Sequence, residues 1–163
     1  MRVLIIRHAT AVAHGTPGIP DDARPLTPRG EKRFREAARG LARALPTPDE
    51  LISSPLPRAL RTAGIAAEAW GQIDVATDAA LAGGSVEDVL GLLASRPGDS
   101  MIALVGHEPQ VSELVARLVG GQDASRLGFR KGGACLVDIP GPPGEGGTLV
   151  AFLPPRVLRA LAQ

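Results

Sequence analysis

Short apolar runs alternate with stretches of helical periodicity along most of the chain, and this alternation strongly limits the possible folds. Residues 1–7, 50–53, 73–76 and 101–105 have the length and composition of buried strands. Two further strands are predicted at 132–139 and 148–153, around a Gly/Pro-rich turn. The pattern predicts an α/β fold, a three-layer sandwich in which helices flank a mostly parallel central sheet.

Helices are predicted between these strands. Thr27 and Pro28 have the capping hydroxyl and first-turn proline of a helix start. Apolar residues then recur at helical spacing, so that one face is formed by Phe34, Ala37, Ala38, Leu41, Ala42 and Leu45. Further helices are predicted from Pro57 to about Trp70 and over 85–95, 109–119 and 156–163. The stretch 76–101 is too short for a large helical insertion.

Length and cysteine content narrow the class of protein. A chain of 163 residues is long enough to bury a core, and we expect a single domain over residues 1–163. The single cysteine, Cys135, excludes an intrachain disulfide and is expected to be a small buried strand residue. The N-terminal apolar run is too short for a signal peptide or membrane span, so we expect a cytoplasmic protein without membrane contact.

Charge is unevenly distributed although the formal net charge is only +1. Residues 1–62 contain 11 Lys and Arg against 6 Asp and Glu, whereas residues 63–163 contain 7 against 11. The basic half would attract an anion. Nucleic acid is not expected as a partner, because the chain has only four aromatic residues for base stacking. Sixteen arginines against two lysines indicate a GC-rich bacterial coding background.

Three polar segments follow predicted strands. Arg7 and His8 end the first strand, His107 follows the strand at 101–105, and Arg58 lies in a proline-started helix after the strand at 50–53. Ligands of open α/β sheets bind at the carboxyl ends of the strands. Two arginines, two histidines and a helix N-terminus at one edge would suit a phosphoryl dianion, held by bidentate guanidinium contacts.

A histidine at such a site could also react with the bound group. Neutral imidazole is a competent nucleophile, and covalent catalysis divides one difficult displacement into two easier ones. The neighbouring cations would offset charge on the transferring group. His8, His14 and His107 could instead be metal ligands, but Arg7 and Arg58 would repel a dication and no carboxylate cluster accompanies them. We therefore expect no metal and no other cofactor.

The segments "LIIRHA", "SSPLPRALRTA" and "LVGHEP" together resemble the histidine phosphatase superfamily, also called the phosphoglycerate mutase-like or RHG family. The three segments occur in the family's order across nearly the whole chain. The resemblance implies that His8 is the nucleophile that becomes phosphohistidine. It implies that Arg7 and Arg58 clamp the phosphoryl oxygens and that His107 is the second histidine of the phosphate pocket.

Within the superfamily the chain is similar to the SixA branch of small bacterial phosphohistidine phosphatases. The branch motif D-x-x-R-P-L-T-x-x-G occurs here from Asp21 to Gly30. The resemblance implies that Arg24 and Asp21 line the entrance for the substrate, although Arg24 could also anchor its loop through Asp21 or Asp22. Ala9 stands where the superfamily usually has glycine, a variation that is common in this branch.

The general acid of the mutases has no clear counterpart in this sequence. An alkoxide leaving group needs a proton donor, whereas an imidazole with a pKa of about 6.5 leaves readily. The pattern thus favours removal of phosphate from phosphohistidine on a signalling or phosphocarrier protein. Two alternatives stay open: a small-molecule phosphomonoesterase, for which Asp21, Glu87 or Glu108 could be the acid, and a non-catalytic phosphate-binding module.

Overall fold

The computed structural model describes residues 1–121 and 123–163. Its centre is a six-stranded sheet formed by β1 (Arg2–Arg7), β2 (Glu50–Ser53), β3 (Val75–Thr77), β4 (Met101–Gly106), β5 (Ala134–Asp138) and β6 (Thr148–Leu153). The spatial order is β3-β2-β4-β1-β5-β6. The strands β3, β2, β4 and β1 are parallel, and β5 and β6 continue the sheet in antiparallel pairing. The predicted α/β sandwich is confirmed.

In the described part of the chain, five α-helices cover the two faces of the sheet. They are α1 (Pro28–Ala44), α2 (Pro57–Ala69), α3 (Val86–Ala94), α4 (Gln110–Leu118) and α5 (Pro155–Leu161). Short 3₁₀ turns occupy Asp21–Ala23 and Ala79–Ala82. The segment between β3 and β4 contains only a 3₁₀ turn and the nine residues of α3, so no large helical insertion lies there. Among the described residues, no helix is both long and apolar enough to cross a bilayer.

Successive side chains of β1 point to opposite faces of the sheet and so belong to two separate hydrophobic clusters. Leu4 and Ile6 pack in a cluster with residues of α1, α2 and α5, whereas Val3 and Ile5 belong to a cluster with residues of α3 and α4. All four side chains are almost fully buried. Burial on both faces explains why β1 is a continuous apolar run rather than an alternating one.

The D-x-x-R-P-L-T-x-x-G segment fastens a long loop to the start of α1. The Thr27 side chain accepts a hydrogen bond from the Gly30 backbone N–H at 3.0 Å, and the Thr27 N–H donates to the Thr10 carbonyl at the same distance. A Cβ atom on Gly30 would lie 2.1 Å from that carbonyl oxygen. Only glycine therefore allows the helix to approach Thr10 so closely, and part of this motif is structural.

Candidate active site

The ends of three adjacent strands bring the predicted site residues together. Arg7 pairs in register with Gly106, and Ser53 pairs with Val105. Beyond the strands, the His8 N–H donates to the Gly106 carbonyl at 3.0 Å. The carboxyl ends of β1, β4 and β2 are thus aligned, and the residues that follow them share one edge of the sheet.

His8 and His107 face each other across this edge. Their ring centroids are 5.0 Å apart with the planes inclined by 51°. His8 is 5% exposed, and its Nδ1 atom lies 2.7 Å from the Ala9 carbonyl oxygen. A carbonyl can only accept, so Nδ1 carries the proton and the neutral ring has its lone pair on Nε2. This tautomer leaves Nε2 available for nucleophilic attack.

The surroundings keep both rings neutral. Burial lowers the pKa of His8 to about 3, and the charges of His107, Arg58 and Arg7 act in the same direction, while the hydrogen bond to Ala9 opposes them. Burial, followed by the charge of Arg58, lowers the pKa of His107 to about 4. At neutral pH His8 therefore has the unprotonated form that a nucleophile needs.

Two arginines flank the histidines, of which Arg58 is buried and Arg7 is partly buried. The Arg7 guanidinium donates to the Phe129 carbonyl at 2.5 Å, and that of Arg58 donates to the Asp21 carbonyl at 2.7 Å. Burial lowers the pKa of each guanidinium from its ordinary value. These anchors fix the two cations beside His8, where each offers further N–H groups to an anion.

Unsatisfied polar atoms concentrate at this edge. Among the buried side-chain nitrogen and oxygen atoms of the described residues, five lack a hydrogen-bond partner, and three of these belong to the site: Arg7 Nε, Arg58 Nε and His107 Nδ1. Buried polar groups are normally paired, and exceptions call for a physical reason. An oxyanion supplies the acceptors that the two guanidinium N–H groups lack.

Asp21 and Arg24 lie beside the other predicted site residues but bind each other. Arg24 Nε donates to Asp21 Oδ1 at 2.8 Å, and another Arg24 nitrogen donates to the Val12 carbonyl at 2.8 Å. Asp21 Oδ2 is also 3.6 Å from Arg58. The loop-anchoring contact of Arg24 is thus present, and roles of Arg24 and Asp21 toward the substrate stay predictions.

His14, considered from the sequence as a possible metal ligand, contacts the same carboxylate. Its Nδ1 lies 2.6 Å from Asp21 Oδ1, although the His14 side chain is 81% exposed. The hydrogen bonds from His14 and then from Arg24 lower the pKa of Asp21 to about 2. Asp21 is therefore ionised at neutral pH and has no proton to give to a leaving group.

The other two acid candidates lie in different places. Glu87 pairs with Arg117 at 3.5 Å on the α3 side of the sheet. Glu108 follows His107 directly, accepts a hydrogen bond from the Ser112 hydroxyl at 2.7 Å, and shares with Arg7 a cavity of about 760 Å³. Of the three candidates, Glu108 alone combines a position beside the site with access to a cavity that could hold a leaving group.

Two hydroxyl residues of the site were not singled out from the sequence. Ser54 Oγ shares a hydrogen bond of 2.8 Å with His107 Nε2. Thr62 Oγ1 donates to the Arg58 carbonyl and accepts from the Ala9 N–H. Both residues lie within "SSPLPRALRTA", the segment that predicted Arg58, so the signal was present but was interpreted only for its charge.

The described residues contain no group of three or more His, Cys, Asp or Glu side chains arranged to hold a metal ion. The site is instead made of cations and neutral imidazoles. This composition is suited to an anion, and the donor set does not resemble that of a divalent-metal centre.

Comparison with known proteins assigns the family. The sequence model of the histidine phosphatase superfamily (branch 1) matches residues 3–96. The chain belongs to the histidine phosphatase superfamily. The match includes Arg7, His8 and Arg58, and the superfamily fold accounts for the shared edge on which they meet His107.

Solved structures of this superfamily align with almost the entire chain. The protein histidine phosphatase SixA complexed with tungstate is 25% identical, with a TM-score of 0.83, and the alignment covers 97% of this chain and 99% of that one. A candidate phosphohistidine phosphatase SixA from Agrobacterium tumefaciens is 26% identical, with a TM-score of 0.79 and coverage of 94% and 97%. The predicted likeness to the SixA branch is confirmed.

Other relatives carry less information on specificity. An uncharacterized protein of Picosynechococcus is 31% identical over 136 residues, which are 82% of each chain. Solved structures at 18–21% identity include an alpha-ribazole phosphatase and a phosphoserine phosphatase, and this likeness is one of fold alone. Membership of a superfamily of phosphatases is shown, and the substrate is a separate question.

Proposed function

We propose that this protein is a cytoplasmic, metal-independent phosphohistidine phosphatase that acts on a signalling or phosphocarrier protein through a phospho-His8 intermediate. The observation that carries the proposal is the hydrogen bond from His8 Nδ1 to the Ala9 carbonyl, which leaves the lone pair on Nε2. The likeness to SixA structures supports the choice of substrate.

In the first step, His8 Nε2 attacks the phosphorus atom of the substrate phosphohistidine. A new P–N bond forms on His8 while the P–N bond of the substrate breaks, and its electron pair leaves on the substrate imidazole. Arg7 and Arg58 bind the equatorial oxygens and offset their charge, which is the main source of catalysis in phosphoryl transfer. His107 contributes a further polar contact at the same phosphoryl group.

In the second step, a water molecule attacks the phosphorus of phospho-His8, and the P–N bond breaks with its electron pair returning to His8 Nε2. The water oxygen stays on phosphorus, its protons pass to the phosphate and to solvent, and inorganic phosphate is released. The substrate imidazole leaves in the first step as a neutral ring when its second nitrogen carries a proton, and it is a good leaving group because its conjugate acid has a pKa of about 6.5. No strong general acid is required. The ionised state of Asp21 fits this chemistry, since a carboxylate cannot protonate an alkoxide.

A second candidate function is supported by Glu108. Its carboxyl group shares a cavity of about 760 Å³ with Arg7, and an acid in this position could protonate the alkoxide of a small phosphomonoester. Under this alternative, Glu108→Gln would slow the hydrolysis of alkyl phosphates more than the hydrolysis of aryl phosphates, whose leaving groups need less protonation. The rate of phosphohistidine hydrolysis would not change with the same substitution.

The deciding experiment compares turnover of two substrate classes in the presence of EDTA. A phosphohistidine-bearing carrier domain and a panel of alkyl phosphates are given to the wild-type protein and to His8→Ala. We expect preferential hydrolysis of the P–N substrate, reduced to the buffer rate in His8→Ala. Alkaline quenching during turnover should trap a phosphorylated enzyme with the phosphate on His8. Preferential hydrolysis of alkyl phosphates would reject the proposed substrate.

A further inference from the structure

A second cavity shares Arg7 and Arg130 with the first and is strongly basic. Its volume is about 390 Å³, and the residues that line it include no carboxylate. Its cationic lining defines the basic cleft: Arg7, Arg33, Arg130, Lys131 and Arg159. Ala9, the residue after His8, also lines it. The basic cleft therefore begins at the phosphoryl-binding site and extends away from it.

Backbone hydrogen bonds hold the cationic loop of the basic cleft against β1. The Gly132 N–H donates to the carbonyls of Arg7 and His8 at 3.0 and 3.1 Å, and the Arg7 N–H donates to the Gly133 carbonyl at 3.1 Å. The loop that carries Arg130 and Lys131 is thus joined to the strand that delivers the nucleophile. An anion in the basic cleft would lie in a fixed relation to the phosphoryl group.

Among the described residues, three cations of the basic cleft lack the carboxylate partners that two arginines of α1 and α2 have. Arg35 of α1 and Arg61 of α2 are paired with Glu31 and Glu68. Within residues 1–121 and 123–163, no ion pair is formed by Arg33, Arg130 or Lys131, all of which are exposed.

The remaining two cations of the basic cleft are only weakly engaged with carboxylates. Arg159 approaches Glu36 at 3.9 Å, close to the limit of an ion pair. The charge of Arg130 acts unfavourably on Arg7, and the larger, favourable charge effect on Arg7 comes from Glu108, which does not line the basic cleft. Like charges that converge without internal partners repel each other, and an external anion relieves that repulsion.

We propose that the basic cleft binds acidic side chains of the phosphorylated protein substrate, next to the phosphohistidine held by Arg7. This inference rests on the proposed function and specifies the partner, a protein with carboxylates beside its phosphorylated histidine. Single-stranded nucleic acid fits less well, because it needs aromatic stacking surfaces and the aromatic residue of the lining, Phe34, is only 2% exposed.

Binding of a labelled hexaglutamate peptide, followed by fluorescence anisotropy, tests the basic cleft directly. The test variant carries Arg33→Glu and Lys131→Glu. The matched control carries Lys32→Glu and Arg43→Glu, which make the same change of net charge on exposed residues of α1 outside the cleft. We expect the Kd to rise about tenfold or more in the test variant and less than about threefold in the control.

Equal weakening in both variants, or no saturable binding by the wild-type protein, would overturn the proposal. Tighter binding of an oligothymidylate than of hexaglutamate, with the same dependence on Arg33 and Lys131, would assign the basic cleft to nucleic acid instead. Both probes are measured at the same ionic strength, because electrostatic affinities depend on salt.

Steady-state turnover tests whether the basic cleft contributes to binding of the protein substrate. For an acidic phosphohistidine carrier domain, the test variant should raise KM about tenfold, whereas its hydrolysis of free phosphoramidate should stay within about twofold of wild type. Equal losses on both substrates would reject a docking role. Failure of the wild-type protein to hydrolyse any P–N substrate would reject the proposed function. The hexaglutamate titration would still show whether the basic cleft binds carboxylates.

Discussion

The hydroxyl oxygen of Thr62 accepts a hydrogen bond of 3.0 Å from the backbone N–H of Ala9, the residue after the proposed nucleophile. The same hydroxyl donates to the Arg58 carbonyl at 2.7 Å. Thr62 is completely buried. One side chain thus joins the loop that carries His8 to the helix that carries Arg58, and their relative position depends on it.

Replacing Thr62 by valine should damage both stability and catalysis. The substitution keeps the shape but leaves the Ala9 N–H without its acceptor, which costs about 1–3 kcal/mol of unfolding free energy. Displacement of His8 relative to Arg58 should lower kcat about tenfold to a hundredfold. Urea unfolding and steady-state turnover measure these two effects. Thr62→Ser retains the hydroxyl and should stay near wild type, and an equal loss in Thr62→Ser would argue against the hydrogen-bond explanation.

Gly30 and Gly64 make a matched pair of helical glycines. A Cβ atom on Gly30 would lie 2.1 Å from the Thr10 carbonyl oxygen, whereas a Cβ on Gly64 meets no atom within 4 Å. Gly30→Ala should therefore destabilise the protein by about 1–3 kcal/mol or more, and Gly64→Ala should stabilise it by about 1 kcal/mol through helix propensity. Thermal and urea unfolding of both variants would show this. Similar stabilities for the two would contradict the close approach of α1 to Thr10.

Acid should destabilise the protein through the two site histidines. Burial lowers the pKa of His8 to about 3 and that of His107 to about 4, below the value of about 6.5 expected in the unfolded chain. Between these values the unfolded chain binds more protons. The unfolding free energy should therefore fall as pH decreases from about 6.5 toward 4 and 3, by up to about 1.4 kcal/mol per pH unit for each ring.

Urea unfolding between pH 7.5 and 5 gives this dependence. The double variant His8→Asn with His107→Asn lacks both titrating rings and should show a shallower decline. An unchanged pH dependence in the double variant would mean that other groups cause the acid sensitivity. In the folded wild-type protein, the imidazole NMR signals of His8 and His107 should stay constant from pH 8 to about 5.

Asp21→Asn separates a positioning role from a role as general acid. Asp21 pairs with Arg24 and contacts Arg58, and its pKa of about 2 leaves it ionised at neutral pH. We expect the substitution to lower kcat/KM about tenfold or less, by the same factor for P–N substrates, aryl phosphates and alkyl phosphates. A loss confined to alkyl phosphates would indicate that Asp21 supplies the proton, and would contradict the ionised state.

The sheet and the four residues at its edge are predictable from the sequence because both follow from local rules. An apolar run without alternation indicates a strand buried on both faces, and the ends of parallel strands meet at one edge. These two rules are sufficient to predict that Arg7, His8, Arg58 and His107 lie close together. Their catalytic roles stay predictions that the experiments above address.

Other features depend on contacts between distant loops. The fastening of Gly30 to Thr10, the contact of His14 with Asp21 and the basic cleft all require the loop of residues 8–27 or the segment before β5 to fold back on the site. Contacts of this kind between loops leave no hydrophobic periodicity in the sequence from which they could be predicted. The pairing of Arg61 with Glu31 across the α1–α2 contact likewise joins two helices that no local pattern relates.

The position of β4 in the sheet sets the order in which the site can be assembled. β4 lies between β1 and β2, so the strands that deliver Arg7 and Arg58 are not neighbours of each other. A nascent chain that ends before β4 contains His8 and both arginines but lacks the strand that separates and aligns them. Phosphate binding should therefore arise late in synthesis, in one step, when residues 101–106 enter the middle of the sheet and bring His107 with them.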